Sequence, residues 1–243
     1  MDKIPFSVYD FFGYLAPGVL FLGSVDYFIL DHQLIEYAKE NLITAIVSLI
    51  IVYIIGHFIS SASYWSFEKI IVGKCLKQPS ETLFKESVIT EKKTWKKLLL
   101  SFIKNPKEFL FSSYYIPFSQ TVLKKINDKL GRIDDSTDIA KGNAKFQLAF
   151  SKVKMHELSM VSLNNFLNLY GFARNISLVC IVMAFILIYC SIFCGIITNL
   201  WWIVGYLVAG VMMFDRFLKF YRYYDRDLFL SYLSLTEEEK GKS

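Results

Sequence analysis

Charge is what this sequence withholds over its longest uniform stretch. Between Arg174 and Asp215 there is no Asp, Glu, Lys or Arg, and Ile176 to Phe214 is mostly Ile, Leu, Val, Phe, Met, Cys and Trp. A hydrocarbon core of about 30 Å is crossed by about 20 apolar helical residues, so the run is too long for one crossing and suits two. Lipid offers no partner to an unpaired backbone amide. The run therefore reads as two helices in a tight hairpin, turning at Asn199, with Trp201 and Trp202 at the interface.

Other scarcities narrow the function. The four cysteines, Cys75, Cys180, Cys190 and Cys194, contain no CxxC pair, and three lie inside the apolar hairpin, which points to packing rather than disulfides or metal. HExxH, GxSxG and glycine-rich phosphate loops are absent, and His156-Glu157 lacks the second histidine of a zincin. Asp134, Asp135 and Asp138 form an acidic cluster in an expected loop, 131–143. The sequence thus predicts no catalytic set, no cofactor and no metal site, hence a non-enzyme. Residues 66–174 hold no Gly/Pro-rich linker, and no fixed-period repeat occurs. No A-x-A cleavage pattern follows the start MDKIPFSVYD, so the first apolar segment is read as a retained helix.

What is present is apolar and aromatic. Hydrophobic residues make up 54% of the chain and aromatics 17%, with a mean hydropathy of +0.38. A first crossing is expected at about Phe6–Leu30, with Pro17 and Gly18 imposing a kink or local unwinding near Tyr14 to Gly18. Asp31–Asn41 reads as a short polar loop and Leu42–Tyr64 as a second crossing. Most of the 27 Lys and Arg fall in residues 66–174, a second group follows Phe214, and only Lys3 and Lys39 lie elsewhere. The positive-inside rule then places the middle and both termini in the cytoplasm. The predicted fold is all-α, a four-transmembrane-helix integral membrane protein of two hairpins with a helical cytoplasmic domain between helices 2 and 3. Its segments are residues 1–65 (helices 1 and 2), 66–174 (cytoplasmic), 175–220 (helices 3 and 4) and 221–243 (an amphipathic cytoplasmic tail).

Within the middle, Phe118–Leu130 reads as a helix ended by Gly131, and Ala144–Asn175 as helical and able to continue into the third crossing. Lys92, Lys93, Trp95, Lys96 and Lys97 belong to a basic amphipathic stretch suited to anionic headgroups or a partner. Its positive charge is accounted for by the positive-inside pattern, so nucleic acid is not expected as a partner. Asp26 and His57 are polar groups inside predicted crossings. Asp26 is either functional or simply wet or bonded to a neighbouring helix; His57 either shuttles protons or senses pH, or makes one structural hydrogen bond. Gly56 with Ser60 has the four-residue spacing of a close helix contact and points to an assembly seam.

Three stretches, Tyr9–Gly18 (YDFFGYLAPG), Leu169–Ser177 (LYGFARNIS) and Phe217–Leu233 (FLKFYRYYDRDLFLSYL), resemble the flanks of a widespread, largely uncharacterised group of small bacterial multi-pass membrane proteins, some associated with anti-phage defence loci. The resemblance implies a bacterial inner-membrane protein belonging to a multi-gene immune system, and carries over no site residue. Read physically, the three stretches mix aromatics with charge where helices meet the inner headgroups. Asp10, Arg174, Asp215, Arg216, Arg222 and Asp225 are candidates for a polar collar there, with Arg174 paired to Asp10 or Asp215. The expected function is a membrane component of a defence or signalling assembly, which oligomerises with itself or binds a cytoplasmic protein. The alternatives are an oligomeric pore lined by Asp26, His57 and the Pro17 break and, third, a membrane enzyme.

Overall fold

The computed structural model describes residues 10–84, 111, 114–130, 138–194 and 199–241. Among them every regular element is a helix. A π-helical turn, π1 (Phe11–Leu15), leads into α1 (Ala16–Phe28), followed by α2 (Gln33–Lys39) and α3 (Leu42–Ser63). A second π-helical stretch, π2 (Tyr64–Leu76), then α4 (Pro79–Thr82), α5 (Gln120–Leu130), α6 (Asp138–Val153), α7 (Glu157–Phe193) and α8 (Leu200–Gly241) complete the chain. Three stretches are long and apolar enough to cross a membrane: Phe11–Phe28, Leu42–Thr82 and Glu157–Phe193.

The chain divides into two compact units, residues 1–70 with 168–217, and residues 71–167 with 218–243. Glu68 and Arg174 pair inside the first unit.

The first unit is a four-helix bundle of π1–α1, α3, and the adjoining parts of α7 and α8. Neighbours run in opposite directions: Gly18 abuts Val52 while Gly56 abuts Tyr14, and Ser177 Oγ donates to the Gly210 carbonyl at 2.8 Å. At one end Phe28 meets Trp202 edge-on at 5.4 Å, and Ser24 and Tyr206 share a hydrogen bond of 2.6 Å between their hydroxyls. Asn199 marks the α7–α8 turn because its side-chain oxygen accepts the Trp201 amide at 3.1 Å, capping α8. Asn41 caps α3 in a reciprocal box with Thr44.

The expected polar loop 31–41 contains helix α2 instead. Asp31 and His32 take left-handed backbone angles, φ 51° and 67°, and turn the chain back. Asp26, buried, then accepts the Leu34 amide at 2.7 Å and the Ile35 amide at 3.3 Å. Those are first-turn donors that lack intrahelical partners, so a carboxylate several residues upstream caps the helix. Asp26→Ala should therefore cost about 0.5–2 kcal/mol, read as a lower thermal midpoint in detergent; an unchanged midpoint would reject the capping role.

The second unit has its own apolar core: Leu83, Phe118, Leu123, Ile126, Ala149, Val153, Leu163, Leu228, Phe229, Tyr232 and Leu233 are all buried. Residues of the expected amphipathic tail thus supply its centre through Leu228, Phe229, Tyr232 and Leu233. Helix α5 contributes Leu123 and Ile126 from one face, three residues apart. Helix α6 begins at Asp138, within the span 131–143 expected as a loop. Helicity breaks at residues 154–156 and resumes as α7, which then continues without interruption into the apolar run.

Where π2 ends, Lys77 takes φ 71° and the last carbonyls lose helical donors. Two tyrosines supply them: Tyr115 donates to the Leu76 carbonyl at 2.8 Å and Tyr114 to the Lys77 carbonyl at 2.7 Å. Burial, and after it the Asp225 carboxylate, hold the Tyr114 hydroxyl well above its ordinary ionisation range, so it stays a donor. Tyr114→Phe removes this donor from the Lys77 carbonyl and should cost about 0.5–1.5 kcal/mol. Chemical denaturation monitored by far-UV circular dichroism would show it as a lower midpoint at unchanged slope.

Candidate functional site

Pro17 explains where the bundle places its polar centre. In an α-helix the carbonyl of Gly13 would accept from residue 17, but proline has no N–H to give. The chain responds with the wider π register of Phe11–Leu15, in which the Ala16 amide bonds to the Phe11 carbonyl. The Gly13 carbonyl is met from another helix, by Asn175 Nδ2 at 2.7 Å. The expected disturbance between Tyr14 and Gly18 thus takes the form of a π turn whose freed acceptor is used.

Next to Asn175, Arg174 is buried and spends its guanidinium on α3 and π2. Its Nε donates to Ser63 Oγ at 3.0 Å and, in a shared geometry, to Asn175 Oδ1 at 3.2 Å. Nη2 donates to Ser60 Oγ at 3.2 Å, and Nη1 forms the ion pair with Glu68. Ser63 is hydrogen-bonded to both Asn175 and the Ser60 carbonyl, and the Tyr64 ring lies 5.9 Å from the guanidinium carbon. Ser60 and Ser63 belong to the inward row of α3, which buries Thr44, Gly56, Ser60 and Ser63, all small or polar. A buried guanidinium is tolerable only when its charge and donors are matched together. Chemically the arrangement is a lock, joining α7 to α3 and its continuation π2 through one cation.

The pairing corrects the expectation from sequence. Arg174 bonds to Glu68 and not to Asp10 or Asp215; Asp215 and Arg216 are exposed and Asp10 is half-buried. Glu68 was missed because it lies beyond the apolar part of the second crossing, among charges that read as cytoplasmic. α-Helical counting from Gly56, Ser60 and Ser63 arrives at Phe67 and passes Glu68 by. Pro17 and Gly18 are buried, and Gly18 with Gly56 forms a contact between helices of one chain. Asp26 lies at the other end of α1, where it caps α2. His57 is exposed, stacked on Tyr14 at 3.8 Å.

In the second unit Arg222 and Asp225 are buried. Arg222 Nη2 donates to the Ile116 carbonyl at 2.6 Å, and burial first, then Arg226, push its guanidinium below its ordinary value. The six expected collar residues are therefore shared between the two units. Lys92, Lys93, Trp95, Lys96 and Lys97, with Asp134 and Asp135, lie outside the described residues. Comparison with protein-family models, with curated proteins and with solved structures finds no match to this chain.

Proposed function

We propose that the chain is a multi-pass protein of the bacterial inner membrane that crosses four times, with both termini and the 66–174 segment cytoplasmic, and joins a defence or signalling assembly by binding copies of itself or a cytoplasmic protein. The observation that carries the membrane part is the inversion of α3. It buries Thr44, Gly56, Ser60 and Ser63 while Leu42, Ile43 and Phe58 stand 76%, 74% and 70% exposed. In water, this distribution would leave the most apolar surface uncovered; in lipid it is the stable one. Leu200 to Phe214 in α8 gives about 22 Å of helix, so a fourth crossing uses Phe217 and Leu218 and lets Arg216 and Lys219 snorkel. A cytoplasmic binding role is supported by the second unit, which encloses an apolar core of its own. The defence context rests on the resemblance of the three flanking stretches.

The pore reading needs Asp26 and His57 on one path. Asp26 accepts two amides and His57 faces outward, so this geometry favours the anchored binder.

Native cysteines provide the test. Cys75 and Cys194 are exposed, whereas Cys180 and Cys190 are buried. In intact spheroplasts, a membrane-impermeant maleimide should label Cys194 and reach Cys75 only after lysis, with the protein retained in alkaline-washed membranes. Labelling of both cysteines from the same side would overturn the topology, and release by alkaline washing would overturn the membrane reading.

A further inference from the structure

Helix α3 buries Thr44, Gly56, Ser60 and Ser63, yet its one imidazole points the other way. His57 is exposed on a face that also carries Ile50, Ile54 and Phe58. Its ring stacks on Tyr14 and meets Tyr53 edge-on at 4.6 Å, and among the described residues no hydrogen bond reaches its ring nitrogens. His57 follows Leu42 by about 22 Å of helix, which sets it about 8 Å inside the inner edge of a ~30 Å hydrocarbon core. An imidazole facing hydrocarbon there lacks a partner that lipid tails cannot supply. Beside it, Phe11, Leu15, Leu49, Ile50 and Tyr53, with Asp10, line a groove of about 350 Å³ whose exposed lining is apolar.

We infer that this face of α1 and α3 docks a second copy of the chain, with His57 hydrogen-bonded to the partner's His57 and Phe58 seated against the partner's groove. The inference rests on the membrane reading. A neutral imidazole carries one donor and one acceptor, so two of them are complementary to each other. Two copies inserted in the same sense are related by an axis along the membrane normal, which brings equal depths together. An acyl chain would fill the groove and leave the imidazole unmet. Phe58 is adjacent to His57, and helical side chains lean toward the N-terminus, here toward the level of Ile54 and Tyr53. Exposed Ser61 and Ala62 on the next turn let two helices approach closely.

The test uses full-length protein in its own membranes, with Cys75 and Cys194 changed to serine. Ser61→Cys should give a disulfide-linked species of twice the chain mass under mild oxidation, and Val208→Cys, exposed on α8, should not. Adding His57→Leu should lower the dimer yield about three- to thirtyfold, the range for one intramembrane hydrogen bond. His57→Gln, whose amide again offers a donor and an acceptor, should restore it. A monomer at Ser61→Cys in protein retained after alkaline washing would overturn the docking face and leave the membrane reading intact. Equal yields for the leucine and glutamine variants, or a cross-linked species of another mass, would overturn it as well. Protein released by the washing would overturn both.

Discussion

Gly56→Leu should leave no folded bundle. A Cβ at Gly56 would sit 1.9 Å from the Tyr14 carbonyl oxygen, and one at Gly18 2.1 Å from that of Val52. Both obstacles are backbone, so relief requires moving whole helices apart. Even Gly56→Ala should cost about 1–3 kcal/mol through overpacking. Separation of α1 from α3 would also withdraw the packing around Gly13 that lets Asn175 reach its carbonyl. The readout is alkylation of the buried thiols Cys180 and Cys190 during heating in detergent, which should begin at lower temperature in the variant. Gly23 is the control, because a Cβ there meets nothing within 4 Å. Gly23→Ala should be neutral or slightly stabilising, by up to about 1 kcal/mol, since alanine is the better helix former. Equal behaviour of the two alanine variants would refute the close contact.

The second large effect concerns the buried cation. Arg174→Ala strands Glu68 and frees Ser60, Ser63 and Asn175 at once, and should cost about 3–5 kcal/mol. Arg174→Lys should recover little, because one ammonium cannot reproduce donors directed separately to Glu68, Ser63 and Ser60. The double variant Arg174→Met with Glu68→Met removes both charges together and should regain most of the loss. Asp215→Ala, at an exposed position, should change stability by no more than about 0.5 kcal/mol. Thermal midpoints of the four variants decide the matter. If Asp215→Ala destabilised as much as Arg174→Ala, the pairing with Glu68 would be the wrong one.

Local chemistry was legible in the sequence where one element determines its own form. The absence of charge between Arg174 and Asp215 predicted a helical hairpin, and Asn199 stands at its turn because an asparagine caps the second helix. Pro17 announced a disturbed helix for a reason internal to that helix. Partners distant in sequence were not legible. Nothing in the spacing tells which carboxylate Arg174 meets, and the π register of Tyr64–Leu76 rotates Glu68 away from the face that α-helical counting would give it. Helix α2 was hidden for a similar reason, since its cap, Asp26, is on another element. The tail looked like a headgroup-binding helix because the pattern of Leu228, Phe229, Tyr232 and Leu233 specifies an apolar face and leaves its cover open.

The proline in the first helix also sets a clock for synthesis. Gly13 leaves the ribosome 162 residues ahead of Asn175, whose side chain receives its carbonyl. At about 5–20 residues per second, the acceptor waits on the order of 10–30 s for its donor. During that interval, the first two helices hold each other at this level through their glycine contacts and through Tyr14 against Tyr53 and His57, and any polar group that enters the bilayer beside Gly13 competes for the same oxygen. Completion of the third helix ends the competition, so the Pro17 break makes the amino-terminal hairpin dependent on the carboxyl-terminal one.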